Sequence, residues 1–477
     1  MGLLFPEVSY DSVGESQPVS TSDLTELGNA ARFARDFGRY VRYSPGLEWH
    51  VYVGSEHRWV PDQQGLRVAE RMGHQAVRLS RSEEESEQKW GIRSQSNAGI
   101  KGAMNLLRSV PGIAVEPAHF DADPFLLNLR GGKVLRMNPD AWQSDGEIPF
   151  TRTEDATPEH LCTRQTRATP KFHEHSLFEA LVEFMFPDPG TRDFVKRALG
   201  YSITGDVSRE ALFILYGGAG MGKNTLLEPI LHALGTYATT AAPDLLTRKR
   251  AGSEAIPTDV ADLMGRRLVW ANEASDENSL DEEKVKRIVS TGTVKARRMR
   301  QDFFEFPMTH KLWLTTNHLP RIQDQDNGIW RRVFPVELTR TLSSGQWSGG
   351  DLKAQLFEQS EQETILAWLI EGATDYLQRG LDAPESITKW REDYKAEGDI
   401  VGLFLSEACY VTEDEGPPTE RLSNPQLWAK WRAWAEGDRE RESYSHSRLT
   451  RKLKSRGILP HRGRNGGPTF WPNLANK

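Results

Sequence analysis

LFILYGGAGMGKNTLLEPIL, residues 212–231, sets an apolar run against a burst of glycine, a single lysine and a second apolar run. ALFILY, residues 211–216, has the composition of a buried parallel strand. Gly217, Gly218, Gly220 and Gly222 then allow backbone angles that other residues resist. A loop so bare, with only Ala219 and Met221 carrying side chains, can wrap a phosphate and turn its N–H groups inward. Lys223 supplies a point charge for the outer phosphates, and Leu226, Leu227, Ile230, Leu231 and Leu234 give a helical face that docks on a sheet. The spacing is G-x-x-x-x-G-K from Gly217 to Lys223, in the strand–loop–helix setting that the motif requires. Asn224 stands where a hydroxyl that binds Mg²⁺ is expected; its amide oxygen can also ligate a hard cation, with Thr225 as second candidate. Pro229 lies past the first helical turn, so one helix hydrogen bond is lost and a kink is expected.

Hydrolysis at such a loop needs a carboxylate to orient water. RRLVWANEASDEN, residues 266–278, supplies a short apolar strand ending at Asn272 and Glu273. Glu273 is the candidate for polarising water and supporting Mg²⁺, and Asn272 takes a place often held by aspartate. THKLWLTTNHLP, residues 309–320, repeats the design, and Asn317 falls at the strand end where ligands of open α/β sheets gather. GIWRRVFPVEL, residues 328–338, places Arg331 and Arg332 just before another strand. In ring-shaped NTPases such an arginine enters the neighbouring subunit's site, although a surface ion pair is the commoner fate of paired arginines.

The chain has 477 residues, which predicts two to four domains. Its 38% apolar and 27% charged content fits a globular protein, and no window approaches a membrane span. The N-terminus has no basic, apolar leader, and the two cysteines, Cys162 and Cys409, lie far apart, so a reduced, cytoplasmic setting without a membrane is expected. Net charge is −7, so polyanion binding must be local. Two basic runs qualify, residues 284–300 and 447–467.

The expected organisation is a loose tail at 1–20, an N-terminal α+β domain at 21–165 and a helical lead-in at 166–210. An α/β domain with a partly parallel sheet follows at 211–340, then a helical segment at 341–400 and, at 401–477, helices and a short β-ribbon in winged-helix order. HFDADP contains Asp121 and Asp123 at a spacing that can hold two metals, but too few residues precede the lead-in for a primase fold. His173 and His175 lack a cysteine pair at zinc spacing and read as surface residues.

Taken in order, the glycine-rich loop, Glu273, KVKRIVSTGTVKARRMRQDFFEF, TTNHLP and WRRVFPVEL resemble superfamily-3 helicases. The nearer resemblance is to the phage, plasmid and poxvirus primase-helicase family, and DPFLLNLRGG, TRQT and LGYSITGD resemble its region ahead of the ATPase. The resemblance implies an AAA+-like P-loop core, ATP and Mg²⁺ as cofactors, and a homo-oligomeric ring, a hexamer, moving 3′–5′ along single-stranded or forked DNA beside a separate primase or polymerase. Gly217, Gly222 and Lys223 match its phosphate loop, Glu273 its acidic strand end, Asn317 its sensor, and Arg332, with Arg331 second, its finger.

Within the first basic run, Ser279 and Glu282 suggest a capping box, and a turn at residues 290–293 leaves Lys295, Arg297 and Arg298 on a hairpin. In the resembled family this hairpin grips DNA in the ring's pore. In the C-terminal run, Arg448, Arg451 and Lys452 stand on an expected recognition helix that could equally dock a partner protein. A replicative helicase of a phage or mobile element is the leading expectation. An origin-binding initiator or loader switched by ATP is the alternative, and a packaging-type translocase a third.

Overall fold

The computed structural model describes residues 24–137, 150–241, 245–246, 258–272, 280–297, 303–317, 319–320, 322, 327–342, 352–397, 399–412, 421–442, 444–462 and 469–477. The expected tail at 1–20, Glu273 and Arg298 lie outside them.

Thr25 starts the first helix, Glu26–Phe37, by accepting a hydrogen bond from the Gly28 N–H at 3.0 Å. Strands β1 (Val41–Ser44), β2 (Glu48–Val53) and β3 (Arg58–Pro61) follow as an antiparallel meander. Val41, Trp49, Val51 and Val53 pack there with Phe33, Val68, Met72 and Leu107 from the flanking helices, forming a core of their own. The helices Glu85–Ser94 and Asn97–Leu107 are separate, because Ser96 caps the second by accepting from the Gly99 N–H at 3.1 Å.

A second meander comprises β4 (Leu126–Leu129), β5 (Lys133–Met137) and β6 (Thr151–Asp155). Leu127, Leu129, Leu135 and Met137 belong to the core around the glycine-rich loop. The stretch expected as one N-terminal α+β domain therefore holds two sheets that feed two different cores.

The central strands are β7 (Leu212–Tyr216), β8 (Ala238–Thr240) and β9 (Leu268–Asn272). A separate antiparallel hairpin, β10 (Thr293–Arg297) and β11 (Phe303–Pro307), precedes β12 (Lys311–Thr316) and β13 (Val333–Glu337). Five of these strands form one parallel sheet in the order β13-β7-β12-β9-β8. Leu212 to Leu215 are fully buried, as a central strand covered on both faces requires. Pro335, which cannot donate to a ladder, sits in the edge strand β13. The helix Glu282–Ile288 is capped by Asp281, which accepts from the Lys284 N–H at 3.1 Å, so the start falls two residues beyond the expected Ser279.

Helices Leu177–Met185 and Pro189–Tyr201 support the sheet with the buried helix Gln359–Arg379. Gly200 permits the closest approach: a Cβ there would lie 2.1 Å from the Ala373 backbone nitrogen.

By compactness the chain divides into residues 1–320 with 331–388, and residues 321–330 with 389–477. In the second unit, β14 (Cys409–Val411), β15 (Arg421–Ser423) and β16 (His461–Arg462) each pair antiparallel with β17 (Thr469–Asn476). Phe404, Leu427, Trp431, Leu449, Leu453 and Trp471 form its core, contributed by that sheet and by the helices Ile400–Ala408, Asn424–Ala435 and His446–Ser455. The apolar run at 400–411 leaves the helix at Cys409 and continues as a strand.

Candidate functional site

Strand β7 ends at Tyr216 and delivers the chain to the glycine-rich loop at the carboxyl edge of the sheet. Gly217 is buried, and its N–H donates to the Thr316 carbonyl at 3.3 Å, tying the loop to β12. Gly222 has φ +84°, a conformation that favours glycine, and a Cβ there would lie 2.1 Å from Leu342 Cδ1, so the leucine side chain would have to shift. Gly218, Ala219 and Gly220 are exposed, and Met221 and Gly222 half-buried. The helix Lys223–Leu234 begins directly after Gly222 with no side-chain cap, leaving its first turn aimed at the loop. Pro229 lies inside that helix, buried in the core.

The Lys223 ammonium donates to Asn317 Oδ1 at 2.7 Å, to the Gly218 carbonyl at 2.9 Å and to the Gly217 carbonyl. Two residues singled out ninety-four positions apart thus meet at one point. Burial lowers the Lys223 pKa from its ordinary value. Asn224 is exposed and Thr225 half-buried in the same first turn. An amide oxygen and a hydroxyl are both hard donors, so this pair fits an oxygen-seeking divalent cation.

Asn272 ends β9, and its Oδ1 accepts from the Thr315 hydroxyl at 3.1 Å, which itself accepts from Trp270 Nε1 at 2.8 Å. Register aligns Thr315 with both Leu215 and Asn272, so β7, β12 and β9 end together. Glu273, the next residue in the chain, is outside the described residues.

Arg331 and Arg332 stand at the other end of the sheet. The Leu212 N–H donates to the Arg332 carbonyl at 2.7 Å, and both guanidinium groups reach Glu210, at 2.6 Å for Arg331 and 2.8 Å for Arg332. Arg332 is 8% exposed, whereas the Arg331 side chain is 64% exposed. The length of β7, roughly 15 Å at about 3.3 Å per residue, separates this pair from its own loop. Glu210 went unnoticed in the sequence, where nothing joins residue 210 to residue 331.

On the β10–β11 hairpin, Lys295 Nζ lies 5.3 Å and Arg297 Cζ 5.1 Å from the centre of the Phe303 ring. Phe303, also missed, is 51% exposed. In the second unit Ser445 caps the helix His446–Ser455, Arg448 covers the Tyr444 ring at 4.0 Å, Arg451 is exposed and Lys452 half-buried.

Asp121 accepts from the Thr163 N–H at 2.8 Å, and Asp123 accepts from the Phe125 N–H at 2.9 Å and pairs with Arg136. These carboxylates build turns. His173 Nε2 meets Glu363 at 2.8 Å.

The family described as "D5 N terminal like" matches residues 30–187, and a family of unknown function, DUF5906, matches residues 215–332. That succession, with the glycine-rich loop opening the second match, is the architecture of viral and phage primase-helicases. The chain thus has an architecture typical of superfamily-3 primase-helicases. It is 24% identical over 264 residues to "Putative helicase L207/L206" of Acanthamoeba polyphaga mimivirus, a match covering 52% of this chain and 27% of that protein. It is 32% identical over 127 residues to "Putative primase C962R" of African swine fever virus, covering 26% of this chain and 13% of that protein. The matched stretches are thus a minor part of each relative's length. Among solved structures, the apo C-terminal region of NrS-1 aligns over 94% of this chain and 99% of its own at 11% identity, with a TM-score of 0.49.

Proposed function

We propose that this chain is an ATP-driven motor that unwinds or translocates DNA during replication of a virus, phage or mobile element. The observation that carries the reading is the contact at 2.7 Å between Lys223, inside a glycine cradle, and Asn317, at the end of the neighbouring strand. A triphosphate entering the cradle would take over the lysine's loop carbonyls, and Asn317 would face its outer phosphate or the attacking water. Mg²⁺, held by Asn224 or Thr225 with Glu273, would neutralise phosphate charge. Glu273 would orient water.

The arginines act, in this reading, in the neighbouring subunit of a hexameric ring, since they stand a strand's length from their own loop. Arg331 is the better presented of the two, because Arg332 is sealed against Glu210. The central sheet is read as an AAA+-like core, and the β10–β11 hairpin as the element that meets single-stranded DNA through Lys295 and Arg297, with Arg298 beyond. The C-terminal unit is read as a winged helix presenting Arg448, Arg451 and Lys452 to DNA or to a partner such as a separate primase. Movement 3′–5′ is the polarity that the resemblance implies.

Strand displacement on forked DNA, with wild type and Lys223→Ala, tests the proposal. ATP-dependent displacement by wild type alone is expected. Displacement that persists in the variant overturns the motor; ATP turnover without displacement on any fork points instead to an ATP-switched initiator.

A further inference from the structure

We propose that Phe303 is a stacking platform for a base of single-stranded nucleic acid, flanked by Lys295 and Arg297 for the adjoining phosphates. The inference rests on reading the β10–β11 hairpin as a DNA-contacting element.

Alternation along the hairpin divides it into two faces. Val294, Ala296, Phe304 and Phe306 turn inward, with Phe304 4% and Phe306 1% exposed. Thr293, Lys295, Phe303 and Glu305 turn outward. The inner face already holds two phenylalanines, so the third contributes little to the core. An exposed phenylalanine, 51% accessible, calls for a reason.

Its neighbours supply one. Arg297 is the register partner of Phe303 across the hairpin, and Lys295 pairs with Glu305 one step further along the same face. Both cations sit within about 5.3 Å of the ring centre. A half-exposed π surface with two positive groups over it matches a nucleotide strand, whose bases stack and whose phosphates recur beside them. An apolar protein partner would gain nothing from those cations.

The platform is also braced. Gly46, at φ +76° in the β1–β2 turn, places its virtual Cβ 2.7 Å from Phe304 Cβ and 3.3 Å from the Phe303 carbonyl oxygen. The absence of a side chain at Gly46 therefore lets the N-terminal meander come close to the backbone that carries the ring.

Two oligonucleotides of equal length distinguish a base contact from a phosphate contact: oligo-dT, and an abasic strand with the same backbone. Binding of each to the full chain is measured by fluorescence anisotropy over a range of salt. Phe303→Ala is expected to weaken oligo-dT binding about 5- to 100-fold, leaving abasic binding and the salt slope as in wild type. Phe303→Leu, which keeps apolar bulk, should behave like alanine, and Phe303→Trp should restore binding; melting temperatures confirm that each variant is folded. The Lys295→Ala/Arg297→Ala double variant should weaken both strands and flatten the salt slope. Stacking is overturned if Phe303→Ala binds oligo-dT like wild type, or weakens both strands equally, while the double variant still fails. A double variant that binds both strands with an unchanged slope overturns the hairpin reading itself.

Discussion

Lys223 and Lys311 both donate to three oxygens, at opposite edges of one parallel sheet. Lys223 meets two loop carbonyls and the Asn317 amide at the carboxyl edge. Lys311, the first residue of β12, meets the carbonyls of Thr204, Asp206 and Thr309 and lies 4.8 Å from the centre of the Tyr201 ring. Burial lowers the pKa of each. They differ in access: Lys311 is 1% exposed, whereas Lys223 is half-buried beside the exposed Gly218, Ala219 and Gly220. The acceptors around Lys311 are backbone atoms in a closed interior, so its charge is consumed in holding the chain together. Those around Lys223 belong to a bare loop and an exposed amide, which phosphate oxygens can replace. The same ammonium chemistry serves packing at one edge and, in our reading, ligand capture at the other.

Substitution at each lysine tests that contrast. Lys223→Ala should lower ATP turnover by about a hundred- to a thousand-fold, as loss of a preorganised charge at a phosphoryl centre does, with little change in melting temperature. Lys311→Met should do the reverse. Three buried carbonyls lose their donor, and we expect about 3 kcal/mol of lost stability in denaturant melts, with nucleotide binding retained by the folded fraction. A Lys223→Ala protein that melts as low as Lys311→Met would break the comparison. Asn317→Ala should sharpen it. One acceptor of three is removed at the open edge, so turnover should fall about tenfold while the melt stays put, as phosphate release and calorimetry on the same samples would report.

The loop was legible because the motif is contiguous: strand, glycines, lysine and helix follow one another, and each residue's role is set by immediate neighbours. Lys311 was not. In sequence it is one more cation beside a strand, and its burial comes from residues 204–206 folding over it, more than a hundred positions away. Arg331 and Arg332 show the same limit on a shorter scale, since adjacent side chains diverge and only the fold decides which is sealed. In DFFEF, alternation predicts that Phe303 and Phe304 part company, but not which of them meets the core. Asn272 and Asn317 were found at strand ends; that Thr315 links Asn272 to Trp270 depends on a register between β9 and β12 that no local signal encodes.

Acid should attack the sealed edge through His310, the residue before Lys311. Its ring is 2% exposed, and burial together with the Lys311 charge pushes its pKa down from 6.5 to about 4. The folded state therefore holds the neutral imidazole, while the unfolded chain takes up a proton below about pH 6.5. Stability from this group is complete above pH 6.5 and drains away as the pH falls towards 4. At pH 5.5 the loss comes to about 1.4 kcal/mol, resolvable in paired melts. His310→Leu removes the titration, so its melting temperature should fall less than that of wild type between pH 7 and 5.5, whatever the substitution costs at neutral pH. Parallel curves for the two proteins would mean that the proton goes elsewhere and that the sealed edge is not where acid enters.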